Sequence, residues 1–412
     1  MHFSIHKSSR DAAALAVVSA VFLPVTVQLV QAQTETVLYS FGSQSGDGNY
    51  PYGGLVFDKN GNLYGTTYNG GAYSGGTVFE LTSTEEGWTE TILWSFGNGT
   101  DGYEPYAGLV TDNEGNLYGT TYEGGAYSGG TVFELTPTEK GWAETILWSF
   151  GNEKDGAYPY AGLLFDEKGN LYGTTHQGGA GGDGTVYELT PTEGGWTETI
   201  LHSFKYNGTD GFLPWSALIF GKKGRLYGTT LNGGAYNYGT VFELTPTKKG
   251  WTETILHSFE DNGTDGAYPY AGLMFDKKGN LYGTTYYGGA YYEGTVFELT
   301  PTKKGWTETI LHSFEDNGTD GYEPEAGLVF DKKGNLYGTT LVGGADGDGT
   351  VFELTPTKQG WTETILWSLN PRNRPEGADP YAGLVFDKNG NLYGTTPDGG
   401  AYSYGTVFEL TP

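Results

Sequence analysis

Leu63-Tyr64-Gly65-Thr66-Thr67 is the stretch that decides the fold, because this pentapeptide occurs seven times. The copies begin at Leu63, Leu117, Leu171, Leu226, Leu281, Leu336 and Leu392. The steps between them are 54, 54, 55, 55, 55 and 56 residues. A repeat of roughly 50 residues with strand character is typical of β-propeller blades and not of helical repeats. The pentapeptide therefore predicts seven structural units.

Each unit contains four strand candidates. In the second unit they are residues 107–111, 116–121, 131–136 and 142–150. Their apolar residues come in short runs flanked by Gly, Asn, Asp and Pro, which is typical of strands and turns. Runs such as Thr-Val-Phe-Glu-Leu place apolar side chains on both faces, as a sheet covered on both sides requires. The sequence predicts an all-β protein, a seven-bladed β-propeller with four antiparallel strands per blade.

The two ends of the repeat region predict how the ring closes. The seventh unit ends on its third strand, Gly405-Thr-Val-Phe-Glu-Leu-Thr-Pro412. A segment of the fourth-strand type, Thr34-Glu-Thr-Val-Leu-Tyr-Ser-Phe41, precedes the first unit. We expect residues 34–41 to complete the blade formed by residues 376–412, which removes exposed sheet edges. Residues 33–412 are then a single propeller domain.

The full repeat resembles a known family. It reads Asp-Gly-x-x-Pro-Tyr-Ala-Gly-Leu-Val-Phe-Asp-x-x-Gly-Asn-Leu-Tyr-Gly-Thr-Thr, then Gly-Gly-Ala, then Gly-Thr-Val-Phe-Glu-Leu-Thr-Pro. This unit is similar to the GloVer tandem-repeat family, exported bacterial proteins often described as choice-of-anchor repeat proteins. The resemblance covers essentially residues 34–412 and implies export and a propeller-like array. It implies no particular activity.

Composition and charge narrow the class of protein. Glycine accounts for 70 of 412 residues, about 17% against a usual ~7%. The 32 Tyr and 10 Trp indicate a folded, turn-rich chain and not a disordered one. A net charge of −27 repels phosphate backbones, so we expect no nucleic-acid partner. Since the chain has no cysteine, disulfides, thiolate nucleophiles and Cys-ligated zinc are excluded.

The first 32 residues predict export. Lys7 and Arg10 precede an apolar stretch, residues 12–30, which ends in Val30-Gln31-Ala32 with small residues where a signal peptidase reads. We predict a signal peptide over residues 1–32, with a retained anchor as the alternative. No second segment is long enough to cross a bilayer, so the mature chain is expected to lack a transmembrane span. The expected location is the periplasm, the cell surface or the medium, and the expected state is a monomer.

The loops divide into two faces of different composition. We define the first face by the loops that join the fourth strand to the next blade and the second strand to the third. The remaining loops form the second face. They carry 16 of the 20 Lys and Arg residues that follow the predicted signal peptide. Second-face segments such as Asp58-Lys-Asn-Gly-Asn62 are predicted to be solvated hairpin turns, because Asp, Asn and Gly favour turns.

The first face carries the candidate binding residues. Aromatic residues follow a proline at Tyr52, Tyr106, Tyr160, Trp215, Tyr270 and Tyr381, with Glu325 in the sixth unit. A second aromatic set follows Gly-Gly-Ala at Tyr73, Tyr127, Tyr236, Tyr291 and Tyr402. Acidic residues precede a glycine at Asp47, Asp101, Asp155, Asp210, Asp265, Asp320 and Glu376.

Two interpretations of these residues stay open. Flat aromatic rings beside carboxylates are suited to carbohydrate recognition, because rings stack on sugar faces and carboxylates accept hydrogen bonds from hydroxyls. Alternatively, each acid caps its own turn and each tyrosine packs between blades with its hydroxyl at the rim.

Three histidines recur at one position of the repeat and are candidate metal ligands. His202, His257 and His312 occupy the repeat position that Trp94, Trp148 and Trp367 hold in other units. Packed sheets lie ~10 Å apart and zinc–nitrogen bonds are ~2 Å, so one ion cannot bind all three. We expect them to replace tryptophan in packing, with no metal and no cofactor. No nucleophile–base–acid set is visible either, so catalysis is not expected.

The sequence is consistent with three hypotheses about function. The leading hypothesis is an exported binding or scaffold module that presents its first face to a glycan or a protein at the cell surface. The second is a structural component of the cell envelope or matrix without a small ligand. The third is a metal-assisted propeller hydrolase or lyase, since the fold alone excludes no enzyme.

Overall fold

Seven four-stranded antiparallel sheets form the protein in the computed structural model. The structure describes residues 33–152, 154–372 and 375–411. The predicted signal peptide, residues 1–32, lies outside the described residues. The sheets follow one another along the chain as blades 1 to 7, and the predicted seven-bladed propeller is confirmed.

Each blade has the same strand order. The two-residue first strands are Val56–Phe57, Val110–Thr111, Leu164–Phe165, Ile219–Phe220, Met274–Phe275, Val329–Phe330 and Val385–Phe386. The second strands, which are the Leu-Tyr-Gly-Thr-Thr repeats, are Leu63–Thr67, Leu117–Thr121, Leu171–Thr175, Leu226–Thr230, Leu281–Thr285, Leu336–Thr340 and Leu392–Thr396. The third strands are Thr77–Thr84, Thr131–Thr138, Thr185–Thr192, Thr240–Thr247, Thr295–Thr302, Thr350–Thr357 and Thr406–Thr411. The outer strands are Gly87–Ser95, Gly141–Ser149, Gly195–Ser203, Gly250–Ser258, Gly305–Ser313, Gly360–Ser368 and, in blade 7, Thr34–Ser40.

Short two-stranded ribbons, which the sequence reading did not anticipate, lie above the blades on the first face. Each pairs a segment that enters a blade with the segment that follows the second strand of the same blade. The pairs are Gly48–Asn49 with Asn69–Gly70, Gly102–Tyr103 with Glu123–Gly124, Gly156–Ala157 with Gln177–Gly178, Gly211–Phe212 with Asn232–Gly233, Gly266–Ala267 with Tyr287–Gly288, Gly321–Tyr322 with Val342–Gly343, and Gly377–Ala378 with Asp398–Gly399. A 3-10 turn, Lys222–Gly224, takes the place of the Asp-containing turn in blade 4.

The N-terminal strand closes the ring as predicted. Thr34–Ser40 pairs antiparallel with Thr406–Thr411, in a register that runs from Thr34 opposite Thr411 to Ser40 opposite Thr406. Leu38 and Phe41 are buried in one cluster with Leu55 of blade 1. Blade 7 therefore packs against blade 1 as any other pair of neighbours does.

The core consists of seven apolar clusters, each shared by two neighbouring blades. Between blades 1 and 2, for example, Leu93 and Phe96 pack against Leu109 and Phe133. The glycine of the pentapeptide makes room for this packing, because a Cβ on Gly65 would lie 2.6 Å from the ring of Phe79. Most of the apolar side chains thus lie between blades, which explains why both faces of each sheet are apolar.

A ring of threonine hydrogen bonds joins the blades near the axis. The hydroxyl of Thr66 in blade 1 donates to the carbonyl of Ala107 in blade 2 over 2.8 Å. The same bond recurs around the ring, and it closes where Thr395 of blade 7 donates to Gly53 of blade 1 over 3.0 Å. These bonds satisfy buried hydroxyls and carbonyls that would otherwise destabilise the fold.

Every outer strand contains a β-bulge. In blade 1 the register shifts between Val78 and Phe79, so that Leu93 is an extra residue between Ile92 and Trp94. The same shift lies between Val37 and Tyr39 in the N-terminal strand. A bulge of this kind turns the following side chains to the opposite face of the sheet. The position of Trp94 therefore faces the next blade.

Candidate binding surface on the first face

Backbone hydrogen bonds show that the two kinds of first-face loop lie side by side. The amide of Glu104, which enters blade 2, donates to the carbonyl of Gly75 in blade 1 over 2.8 Å. The carbonyl of Glu104 accepts in turn from the amide of Tyr122 over 3.0 Å. The aromatic and acidic residues of these loops are thereby held on one rigid surface.

The aromatic residues that follow proline converge on the propeller axis. Together with Glu325 they line a cavity of about 200 Å³, and this axial ring consists of Tyr52, Tyr106, Tyr160, Trp215, Tyr270 and Tyr381. Glycines lie directly below the ring. A Cβ on Gly108 would lie 2.6 Å from the carbonyl oxygen of Gly54, so only glycine allows the blades to approach this closely.

The aromatic side chains of the axial ring pack mainly on one another. Tyr52 and Tyr106 stack with centroids 4.7 Å apart and planes 6° apart, and Tyr160 stacks on Trp215 at 3.8 Å. Edge-to-face contacts connect Trp215 with Tyr270 at 5.5 Å. All six aromatic side chains are half-buried. They therefore pack around the axis and also line the cavity.

Glu325 interrupts the axial ring with a titratable group. Burial, and then the charge of Glu323, raise the pKa of its carboxyl to about 7. Burial raises the pKa of the neighbouring Tyr106 hydroxyl as well. The Glu325 carboxyl is therefore largely uncharged below pH 7, although the chain as a whole is strongly acidic.

The second aromatic set lies far more exposed. Tyr73 and Tyr127 are each 53% exposed, and Tyr236, Tyr291 and Tyr402 are each 50% exposed. We call these five residues the rim tyrosines. Within the described part of the chain, none of their rings contacts another aromatic ring and none of their hydroxyls makes a hydrogen bond. They are therefore more exposed than the aromatic residues of the axial ring.

The acids of the first face are held inside their turns. The Asp101 carboxylate accepts from the amide of Gly97 over 3.1 Å, and Asp155 accepts from Gly151 over 3.0 Å. Corresponding bonds go from Ser43 to Asp47, from Lys205 to Asp210, from Glu260 to Asp265, from Glu315 to Asp320 and from Asn370 to Glu376. Apart from Asp155, which is half-buried, these side chains are buried. Their geometry is that of turn capping, and it leaves little of their carboxylate surface exposed to solvent.

A second carboxylate from the next blade approaches several of these buried acids, and the sequence reading missed it. Beside Asp101 this group is Glu144, from the outer strand of blade 2, and burial with the charge of Asp101 raises its pKa to about 8. Burial and Asp155 raise the pKa of Glu198 to about 8 in the same way. The sequence signal is the Glu two residues after the Trp that begins each outer strand, as in Trp142-Ala143-Glu144 and Trp196-Thr197-Glu198. Which face of the sheet the neighbouring outer-strand side chains take depends on the position of the bulge.

The three repeat histidines do not share one site, as expected, but each meets carboxylates. His202 lies 3.4 Å from Asp210 and 3.7 Å from Glu253 of the next blade. His257 and His312 have the corresponding partners. Tryptophan replacement explains their place in the fold, but it does not by itself explain this convergence of carboxylates.

On the second face the turns are local and solvated. The Asp58 carboxylate accepts from the amides of Asn60 and Asn62, each over 2.8 Å, and Gly61 has a φ of 93°. In blade 4 Gly221 replaces the aspartate, and Arg225 forms an ion pair of 3.2 Å with Glu243. These contacts stay within single blades, and a cleft of about 570 Å³ lined by Lys222, Arg225 and Trp306 also lies on this face.

Comparisons with known proteins agree with the repeat and the fold. The sequence profile of the Gloeobacter/Verrucomicrobia repeat matches residues 24–234 and 214–412. The chain belongs to this family. The resemblance to the GloVer repeat stated from the sequence is thereby confirmed. No curated protein sequence matches the chain.

Solved propellers similar to this Gloeobacter/Verrucomicrobia repeat protein share its fold at low identity. The extracellular domain of a candidate hybrid two-component system from B. thetaiotaomicron has a TM-score of 0.57 and 11% identity, with 91% of this chain and 39% of that chain covered. This chain thus spans about two fifths of that protein's structure. A candidate 6-phosphogluconolactonase from Bacteroides uniformis has a TM-score of 0.51 and 14% identity, covering 78% and 85% of the two chains. Another from Bacteroides fragilis has 0.50 and 14%, covering 86% and 98%. At these identities the likeness shows the fold alone.

The described residues include no helix with the length and apolar character that a membrane span needs.

Proposed function

We propose that this repeat protein is an exported, non-enzymatic binding module that recognises a carbohydrate polymer through its rim tyrosines. The exposure of Tyr73, Tyr127, Tyr236, Tyr291 and Tyr402 carries this proposal, because each ring offers about half of its surface to solvent without an internal partner. Large aromatic side chains left in water at a repeated position are typical of a contact surface.

A carbohydrate polymer suits these rings better than a compact ligand does. The tyrosines stand on five different blades and are separated from the axial cavity, so no single small molecule is enclosed by them. A polymer with a repeated sugar face meets several rings at once. Weak contacts at each ring then add up through avidity.

The acids are not part of the proposed contact surface. Asp101, Asp210 and Asp320 are buried and bonded to backbone amides. Recognition is therefore expected to depend on stacking and not on charge. The anionic surface of the chain favours a neutral polymer over an acidic one, because like charges repel.

Export and the absence of catalysis belong to the same proposal. The signal-peptide pattern of residues 1–32 supports export, as does the fold shared with an extracellular domain. The candidate lactonases lend no activity to this chain at 14% identity. We take the protein to act as a monomer in the periplasm, on the cell surface or in the medium.

A panel of purified polysaccharides tests the function. We expect the untagged protein to bind at least one neutral polysaccharide with an affinity that hardly changes between low and high salt, because stacking on uncharged sugars is not screened. Co-sedimentation with insoluble polymers and titration with soluble ones measure this. A protein that binds none of them and remains with the cell envelope would instead be the structural component considered above.

A further inference from the structure

Three side-chain clusters with the same composition lie between consecutive blades from blade 3 to blade 6. Each contains a histidine of one outer strand, the aspartate of the loop into the next blade, and a glutamate of that next blade's outer strand. The clusters are His202, Asp210 and Glu253; His257, Asp265 and Glu308; and His312, Asp320 and Glu363. We call them clusters A, B and C in this order.

The bulge of the outer strand assembles these clusters. In blade 3 the register shifts between Val186 and Tyr187, which places an extra residue, Leu201, before His202. Without it, His202 would lie on the same side of the strand as Glu198, because side chains alternate along a strand. The bulge turns His202 toward Glu253 of blade 4 instead.

Distances within the clusters are those expected between ligands of one ion. The histidine Nε2 lies 3.4, 3.1 and 3.4 Å from the aspartate Oδ2 in clusters A, B and C. It lies 3.7, 3.6 and 3.6 Å from the glutamate Oε1. Zinc bonds of ~2.1 Å at tetrahedral angles place two ligand atoms about 3.4 Å apart. The three ligand atoms of each cluster lie within 4.8 Å of one another, so an ion fits between them after side-chain adjustment.

Carboxylate oxygens in the clusters are buried without a hydrogen-bond partner among the described residues. They include Glu253 Oε1, Glu308 Oε1 and Glu363 Oε1, together with Asp210 Oδ1 and Asp320 Oδ1. The Asp210 and Asp320 side chains are only 9% and 10% exposed. Buried oxygens of this kind are costly to leave unsatisfied. A cation would satisfy them.

Electrostatics point the same way. Burial, followed by the charge of Asp210, raises the pKa of Glu253 to about 8. Burial and Asp265 raise the pKa of Glu308 to about 9. Two carboxylates brought together in a poorly solvated place repel each other, and a bound cation removes that repulsion.

The other four interfaces of the ring provide an internal comparison. There the histidine position holds Tyr39, Trp94, Trp148 or Trp367. The indole of Trp367 donates to the Glu376 carboxylate over 3.3 Å, whereas the indole nitrogens of Trp94 and Trp148 have no hydrogen-bond partner among the described residues. The Oε1 atoms of Glu90, Glu144 and Glu198, at interfaces without a histidine, are also unpartnered within this part of the chain. An indole N–H only donates, whereas a neutral imidazole nitrogen can bind a metal. The change to histidine therefore adds a ligand at three interfaces.

Two of the clusters are open to solvent. His202 and Asp210 line a cleft of about 470 Å³, and all three residues of cluster C line one of about 510 Å³ together with Tyr291. An ion has access through these clefts, and water can fill the remaining coordination positions.

We propose that clusters A, B and C each bind one divalent transition-metal ion of the zinc type, which links the outer strands of neighbouring blades. One imidazole and two carboxylates are ligands that Zn²⁺ accepts, and they suit Mg²⁺ less well because of the nitrogen. Each ion would join two blades through groups that otherwise repel, so it stabilises the interfaces of this half of the ring.

Metal stoichiometry tests the proposal. The untagged protein, stripped with a chelator and titrated with Zn²⁺, is expected to bind three ions per chain and to melt at a higher temperature when loaded. His202→Trp, which installs the residue of blades 1, 2 and 6, is expected to lower the stoichiometry to two. The triple variant with His257→Trp and His312→Trp is expected to bind none and to keep its metal-free melting temperature.

Two further variants serve as controls for the zinc-binding experiment. His176→Ala removes a histidine outside the clusters and should leave three ions bound. Glu253→Gln should also lower the number of bound ions to two. This variant replaces His202→Trp in the experiment if the tryptophan prevents folding. A parent protein that binds no Zn²⁺, or a triple variant that still binds three ions, would overturn the proposal.

Discussion

Removal of residues 34–41, with residues 1–33 retained, is expected to lower the melting temperature sharply and to cause aggregation. Blade 7 would lose its outer strand, with a ladder that runs from Thr34 opposite Thr411 to Ser40 opposite Thr406. Its remaining edge would be open to pairing with other chains. The buried side chains of Leu38 and Phe41 would be lost from the interface with blade 1 as well.

Comparing Phe41→Ala with Phe150→Ala tests ring closure by the N-terminal strand without removing that strand. Both side chains are fully buried at the same repeat position, but Phe150 belongs to a blade formed by continuous chain. In a closed ring each substitution is expected to lower the free energy of unfolding by about 3–5 kcal/mol. Denaturant unfolding measures both. If Phe41→Ala left stability unchanged while Phe150→Ala reduced it, the N-terminal strand would not hold the ring together.

Glu144→Gln is expected to stabilise the protein at pH 8 and to change little at pH 5. The pKa of Glu144 lies near 8 in the folded chain against an ordinary value of 4.5, because of burial and then the charge of Asp101. The folded state therefore holds the proton more tightly than the unfolded state. This stabilisation is complete below pH 4.5 and is lost as the pH rises toward 8. Glutamine keeps the shape of the protonated acid and does not ionise.

Unfolding free energies at both pH values measure this effect. The difference between variant and parent at pH 8 is expected to be on the order of 4–5 kcal/mol, from about 1.4 kcal/mol per unit between pKa values of 4.5 and about 8. Glu139→Gln, in the exposed turn of the same blade, is the matched control and should have no effect at either pH. Equal behaviour of the two variants at pH 8 would mean that Glu144 ionises as freely as a surface residue.

The architecture could be predicted from the sequence because every repeat contains the same strand and turn segments. Seven copies of Leu-Tyr-Gly-Thr-Thr define the units, and Thr34-Glu-Thr-Val-Leu-Tyr-Ser-Phe41 matches the strand that the seventh unit lacks. Packing between blades requires apolar residues on both strand faces, and these are visible in the strand sequences. Closure therefore followed from a comparison of segments and needed no three-dimensional information.

The side-chain clusters could not be predicted in the same way, because they depend on the bulge. Alternation along Trp-Thr-Glu-Thr-Ile-Leu-His places Glu198 and His202 on one side of the strand. The extra residue at Leu201 reverses this and turns His202 toward Glu253 of the next blade. Nothing in the residue types marks the bulge. The carboxylates beside each histidine therefore cannot be predicted from the alternation of side chains.

The candidate binding residues differ in burial, although the sequence pattern places all of them on one face. Tyr106 and Tyr73 both follow small or turn-forming residues in first-face loops, yet one is half-buried at the axis and the other is 53% exposed. The difference in exposure depends on the distance of each residue from the propeller axis, and a sequence pattern does not reveal that distance. The same holds for Asp101, whose turn draws the carboxylate inward.

The central claim is that the rim tyrosines are a binding surface, and one paired measurement tests it most directly. The variant with Tyr73, Tyr127, Tyr236 and Tyr291 all replaced by Ala is compared with the parent for polysaccharide affinity and for melting temperature. Lys248→Ala with Lys249→Ala, on the second face, is the control and should bind as the parent does. We expect the tyrosine variant to lose affinity on the order of a hundredfold, as avidity is lost, with a cooperative melt close to the parent's. Unchanged affinity, or a collapsed melt, would contradict the claim.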